Sequence, residues 1–174
     1  MSGESDARPV LEAAYRRYCD YVFRVCMKFA GGDRDWALDR VQDVFVKLND
    51  SLERLDVQGD LAPWLRQVAV NECLMDLRRR ERRRRLLGIF GLEGGDPPAQ
   101  PDRQVGTQRD VTALDEALGR LPAKQRVLLG LMYFDGASLT EAAALIGVSK
   151  GQASKLHKSA LVTLGKQEWE GRDA

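Results

Sequence analysis

Seven arginines fall within eight residues, Arg78-Arg79-Arg80-Glu81-Arg82-Arg83-Arg84-Arg85. Guanidinium groups at that density form an electrostatic footprint for phosphates, because each offers a planar two-donor fork as well as a charge. A solvated helix end would read the same way. A second group of side chains has a more specific spacing. Ser138-Leu-Thr-Glu141 is followed by Ser149-Lys-Gly-Gln152, with Gly147-Val148 between them. Each tetrapeptide is a capping box, in which the Ser hydroxyl accepts from the backbone three residues on and the Glu or Gln reaches back. Two helices therefore start here, and Gly147 stops the first after Ile146. That is a helix-turn-helix, whose second helix enters the DNA major groove, although an ordinary corner between two helices has the same pattern.

Catalytic chemistry finds little to work with. The chain has one histidine, no Gly-rich phosphate loop and no His/Cys/Asp set with ligand spacing, so neither an enzyme nor a metal or other cofactor is expected. His157 falls on an apolar sector and reads as a packed helix residue. Cys19, Cys26 and Cys73 read as reduced core thiols. No apolar run is long enough to span a membrane, and Met1 to Arg8 lacks the features of a signal peptide, so a cytoplasmic protein without membrane insertion is expected.

A net charge of +1 conceals segregation: residues 1–63 carry 9 basic and 12 acidic side chains, residues 64–85 carry 8 and 3. The elements that would present these groups are all helical. Leu11, Tyr15, Tyr18, Val22, Val25 and Phe29 form the stripe of an amphipathic helix ended by Gly31-Gly32. Asp33 or Asp35 can cap a second helix with Val41, Val44, Phe45, Leu48, Leu52 and Leu55 in one apolar sector. A third starts near Pro63 and runs through Trp64 into the arginines, with Leu61, Leu65, Val68 and Ala69 inward and Gln67, Asn71, Leu74 and Arg78 on another face. Residues 88–108 hold five Gly and three Pro and read as a tether. Periodicity returns at Val111, Leu114, Leu118 and Leu121, and Pro122 opens a helix with Val127, Leu128, Leu131 and Met132 on one side. No strand pattern occurs. The expected architecture is all-α, two small helical domains over residues 8–86 and 110–168 joined by a flexible linker over 87–109.

Two surfaces of this architecture invite partners. Asp39, Asp43, Val46 and Asp50 project away from the apolar sector of the second helix, with Gln42 beside them; an acidic face with an exposed Val fits a protein surface or plain solvent. On the last helix, Ala153, Leu156, Ala160, Leu161 and Leu164 face inward. Gly151, Ser154, Lys155 and Lys158 point outward.

Asp39-Arg-Val-Gln42-Asp43-Val-Phe45-Val-Lys-Leu48, Trp64-Leu-Arg-Gln-Val-Ala-Val-Asn71 and Asp76-Leu-Arg78-Arg79 closely resemble region 2 of bacterial RNA polymerase sigma factors, especially the extracytoplasmic-function (ECF) group. Leu121-Pro122-x-x-Gln125-Arg126, Tyr133-Phe134-x-Gly136 and the helix-turn-helix resemble region 4. The resemblance implies an alternative sigma factor that directs core polymerase to specific promoters and helps open the minus-10 region. It implies that Asp39, Gln42, Asp43, Phe45 and Val46 bind the clamp helices of the largest polymerase subunit, although Phe45 lies in the apolar sector. Asp56, Pro63, Trp64, Gln67, Asn71, Arg78, Arg79 and Arg82 would take the minus-10 strand, and Thr140, Lys150, Gly151, Gln152, Ser154, Lys155 and Lys158 the minus-35 duplex. Further implied partners are the flap of the second-largest subunit and an anti-sigma factor. Primary sigma factors carry two adjacent aromatics where this chain has Pro63-Trp64, which implies weaker generic melting and more dependence on a well-matched promoter. No block follows the helix-turn-helix, so regulation through a C-terminal extension is not expected. Two other functions fit parts of the chain: a stand-alone helix-turn-helix regulator, and a sigma-like interaction protein that binds polymerase without using DNA.

Overall fold

The computed structural model describes residues 4–56, 59–89 and 117–170, and every regular element among them is helical. The expected linker from residue 90 onward, with Val111 and Leu114, lies outside the described residues. The first half consists of α1 (Glu4–Ala30), α2 (Arg34–Ser51), a short 3₁₀ turn (Leu52–Arg54) and α3 (Ala62–Ile89). Gly31 and Gly32 both adopt positive φ, which breaks α1 and reverses the chain. Asp33 caps α2, its carboxylate accepting from the Trp36 backbone N–H at 2.8 Å. Val22, Val25, Cys26 and Phe29 of α1 meet Val41, Val44 and Leu48 of α2 and Leu65, Ala69, Val70 and Cys73 of α3 in a buried core. Each large apolar side chain so buried stabilises the bundle by about 1.5–3 kcal/mol before chain entropy is charged against it.

The second half is smaller. Residues 117–120 are helical, then come α4 (Ala123–Leu129), a π-helical turn (Gly130–Phe134), α5 (Leu139–Leu145) and α6 (Lys150–Glu170). Leu118, Leu121, Leu129 and Ala160 form one small cluster, while Val127, Leu128, Leu131, Ala142, Ala143, Ile146 and Ala153 join the large core. That continuity exists because the two halves touch. Gly130 lies against Phe29, where an added Cβ would sit only 2.7 Å from the aromatic ring, so the absence of a side chain is what lets the elements approach.

Several placements differ from the pattern reading, beginning with Tyr15, which was expected in the α1 stripe and is 46% exposed. Leu74 is not on the Asn71 face: it is only 4% exposed, because Val70, Cys73, Leu74 and Leu77 continue the buried stripe of α3. Leu161, expected inward, is 44% exposed. Leu52 belongs to the 3₁₀ turn rather than to α2, with Leu52 and Leu55 partly buried at the core's edge.

Candidate nucleic-acid interface

The helix-turn-helix is built by the two capping boxes. Ser138 Oγ accepts from the Glu141 N–H at 3.2 Å and the Ser138 N–H donates back to Glu141 Oε2 at 2.8 Å. The Ser138 hydroxyl and backbone bonds hold the Glu141 carboxyl below the ordinary range. Ser149 and Gln152 repeat the arrangement, with both bonds at 3.2 Å. Gly136 and Gly147 take φ of 66° and 68° at the two turns. The result places Thr140 at the start of α5 and Lys150, Gly151 and Gln152 at the start of α6, all four exposed. A Cβ on Gly151 would meet nothing within 4 Å, so the helix start is open to an approaching surface. Lys155 and Lys158 are exposed one and two turns on, and Ser154 is half-buried. His157 is a packing residue as expected: its ring stacks on Tyr133 at 6.1 Å, and Nε2 lies 3.1 Å from the Tyr133 hydroxyl.

In the first half, α3 carries the basic group. Arg79, Arg82, Arg83 and Arg84 are exposed and Arg78 is half-buried, none with an ion-pair partner among the described residues, whereas Arg85 pairs with Glu81 at 2.7 Å. Arg80 is exposed as well but has partners. It bonds Asp76 at 2.9 Å and lies 3.7 Å from Asp33. Asp76 also accepts from Trp36 Nε1 at 2.7 Å and from Arg40 at 2.8 Å, while Arg40 and Arg80 both sit near the Trp36 ring. Burial alone would raise the Asp76 carboxyl, but the Trp36 N–H and the two arginines outweigh it and hold it below the ordinary range. This cluster ties α2 to α3 and was missed in the sequence, where Trp36 and Asp76 are forty residues apart.

Towards the start of α3, Pro63 is exposed, Trp64 is half-buried against the core, and Asn71 is exposed. Asp56 is exposed, and its carbonyl accepts from Gly59 N–H at 3.2 Å in a tight turn. Gln67 donates to Asn71 Oδ1 at 3.2 Å and to the Leu145 carbonyl of α5 at 3.0 Å. Between α3 and α5 lies a groove of about 460 Å³ bordered by Gln67, Asn71, Met75, Arg78 and the segment 144–147.

The acidic face of α2 also forms. Asp39 and Gln42 are exposed, Val46 is 60% exposed, and Asp43 is half-buried with Arg40 at 2.8 Å. Phe45 does not belong to this face. It is 6% exposed and its ring packs edge-on to Tyr15 at 4.8 Å, so it supports α2 from the core side. Leu38, also exposed, joins Val46 as a second apolar group on α2 and had been outside the expected sector.

Capped helix-turn-helix, exposed recognition-helix start and a separate basic helix together define a DNA-binding protein of two helical parts. Residues 14–83 match the family model of sigma-70 region 2, and residues 117–166 match that of sigma-70, region 4. The chain belongs to the sigma-70 family, in the group of ECF RNA polymerase sigma factors. It is 31% identical over 115 residues to the RNA polymerase sigma factor NccH of Alcaligenes xylosoxydans xylosoxydans, covering 64% of this chain and 61% of that one. The chain thus spans about three-fifths of the length of NccH. To the ECF RNA polymerase sigma factor SigM of Mycobacterium tuberculosis it is 27% identical over 144 residues, covering 83% and 69%. The fold is shared with the sigma factor RpoE, solved in complex with the anti-sigma factor NepR from Bartonella quintana, at a TM-score of 0.58 and 24% identity over 94% of each chain.

Proposed function

We propose that this chain is an alternative sigma factor: it binds core RNA polymerase, carries it to specific promoters and helps open the minus-10 region. The observation that carries this reading is the separation of three exposed surfaces on one chain, namely the acidic α2 face, the basic α3 and the start of α6. A regulator acting alone on duplex operators has a use for the last but none for the first. Asp39, Gln42, Asp43 and Val46 are assigned to the clamp helices of the largest subunit. Asp56, Pro63, Trp64, Gln67, Asn71, Arg78, Arg79 and Arg82 are assigned to the minus-10 strand, where holding an extruded base offsets the few kcal/mol of unstacking. Thr140, Lys150, Gly151, Gln152, Ser154, Lys155 and Lys158 are assigned to the minus-35 duplex.

The work is binding rather than catalysis, as in the family at large, whose members are initiation factors and not enzymes. The flap of the second-largest polymerase subunit and an anti-sigma factor are the further partners this reading assigns, and the cytoplasm is its compartment. Among the described residues no helix is long and apolar enough to cross a membrane. The test is transcription by purified core polymerase with and without this protein on a library of promoter fragments. Specific starts that depend on the added protein, and that disappear with an Asp39→Ala/Gln42→Ala variant of unchanged helical content, are expected. Sequence-specific duplex binding without any effect on polymerase would overturn the reading.

A further inference from the structure

One carboxylate of the acidic α2 face is held and its neighbours are not. Asp39 and Gln42 have no side-chain partner among the described residues, whereas Asp43 Oδ2 accepts from Arg40 Nη2 at 2.8 Å. Arg40 is not itself a surface residue: its side chain is 14% exposed, against 46% for Asp43. Its other terminal nitrogen, Nη1, pairs with Asp76 Oδ1 of α3 at 2.8 Å, and the guanidinium lies 5.8 Å from the centre of the Trp36 ring. Arg40 Nε is buried without a hydrogen-bond partner among the described residues, so the two carboxylates are what hold the fork. Burial works against the Arg40 charge, but Asp76 and then Asp43 outweigh it and keep the guanidinium above its ordinary range. Asp76 is anchored in turn. Its second oxygen accepts from Trp36 Nε1 at 2.7 Å and from Arg80 Nε at 2.9 Å, and Trp36 is buried. Order is thus passed outward: the core fixes Trp36, Trp36 fixes Asp76, Asp76 fixes Arg40, and Arg40 fixes Asp43.

We infer that Arg40 is a positioning residue for polymerase binding: it carries the fixed geometry of α3 across to α2 and presents the Asp43 carboxylate in one orientation, with Oδ1 left for the partner. The inference rests on the assignment of Asp43 to core polymerase. Arg40 acts without touching polymerase, through the side chain it holds. A carboxylate oriented before its partner arrives loses less freedom on binding, and losing that advantage is worth roughly 2- to 10-fold in affinity. Only an arginine can do this here, because its planar fork offers two separate nitrogens to two carboxylates, whereas a lysine is a single point of charge. Asp39 and Gln42, which have no such support, are ordered by the partner as it binds.

The test measures affinity of the full chain for purified core polymerase in a double-mutant cycle. Arg40→Lys keeps the charge and removes the fork; it should weaken binding roughly 2- to 10-fold with helical content and minus-35 duplex affinity unchanged. Asp76→Asn, which lies on α3 and off the acidic face, should weaken binding in the same direction. In an Asp43→Ala background neither change should weaken it further, and that is the readout a purely structural role of Arg40 would not give. Equal losses with and without Asp43 overturn the positioning, since they would mean that Arg40 supports α2 as a whole. Binding by Arg40→Lys as tight as wild type also overturns it, and tighter binding would make Arg40 a mask on Asp43 instead. Should Arg40→Lys lose helical content, Asp76→Asn with and without Asp43→Ala completes the same cycle. An Asp43→Ala variant that binds core polymerase as tightly as wild type overturns the polymerase assignment of Asp43 and the positioning with it; weak binding by Asp43→Ala beside wild-type binding by Arg40→Lys overturns the positioning alone.

Discussion

The two halves of this molecule hold their exposed basic and polar helices in place by different means. In the first half α3 is fixed by long-range burial: Leu65, Val70 and Cys73 sit in a core shared with α1 and α2, and Asp76 knits α3 to α2 through Trp36 and Arg40. In the second half α5 and α6 are short-range constructions, set by two capping boxes and two positive-φ glycines, and they pack on each other and on α4 in a core that runs on into the first half. The difference teaches that the second half should be the weaker cooperative unit, and that its stability should depend on contact with the first.

The largest effect should come from the residue that serves both halves. Phe29→Ala is expected to destabilise the protein by about 3–5 kcal/mol, and hydrogen exchange should report losses in α4 as well as in α1 and α2. Losses confined to the first half would break the claim of dependence.

Smaller and local effects should follow from the caps. Ser138→Ala and Ser149→Ala should each cost about 1 kcal/mol, lowering exchange protection in α5 and α6 while α1–α3 are unaffected. A global loss of protection from either change would mean that the halves unfold as one unit.

Acid sharpens the comparison further. The Asp76 carboxyl is depressed in the folded state, so its stabilisation is fully present above the unfolded-state value of about 3.9 and is lost as pH falls through the lower folded value. Unfolding of the first half should therefore steepen below about pH 4, and Asp76→Asn, followed by circular dichroism, should flatten that limb. The Glu141 carboxyl is depressed in the same direction by its Ser138 bonds, in the second half, and its removal should leave the first half's acid limb in place.

The smallest effect is expected at the end of α3. If Arg82 and Arg83 touch phosphates, replacing each with Ala should reduce the slope of log affinity against log salt for single-stranded DNA by roughly 0.7, with sequence preference retained. An unmoved slope would make the run a solubilising helix end.

What could be read from the sequence follows the same division. Both capping boxes and the glycine stops were legible, and the Asp33 cap was one of two candidates beside Asp35, because each is decided by residues within four positions of one another. The stripes of α1 and α2 were legible because 3.6-residue periodicity survives wherever one face is buried. Phe45 was legible in part: its burial was visible in its sector, while the family's pattern placed it on the acidic face. Leu74 was misplaced because α3 is buried along a wider stripe than one partner helix would require. The Gly130–Phe29 approach and the ion pairs of Asp135 with Lys28 and Arg66 have no local signature. They join residues tens to about a hundred positions apart, and only the folded chain brings them together.

The central claim is that one chain reads two promoter elements through two separate surfaces, and selection from a randomised promoter library with polymerase holoenzyme tests it most directly. A Lys155→Ala variant should relax preference in the minus-35 element alone, each lost base contact being worth about 1–3 kcal/mol of discrimination, and an Asn71→Ala variant should relax preference in the minus-10 element alone. Changes at the same promoter positions for both variants, or at none for either, would contradict it.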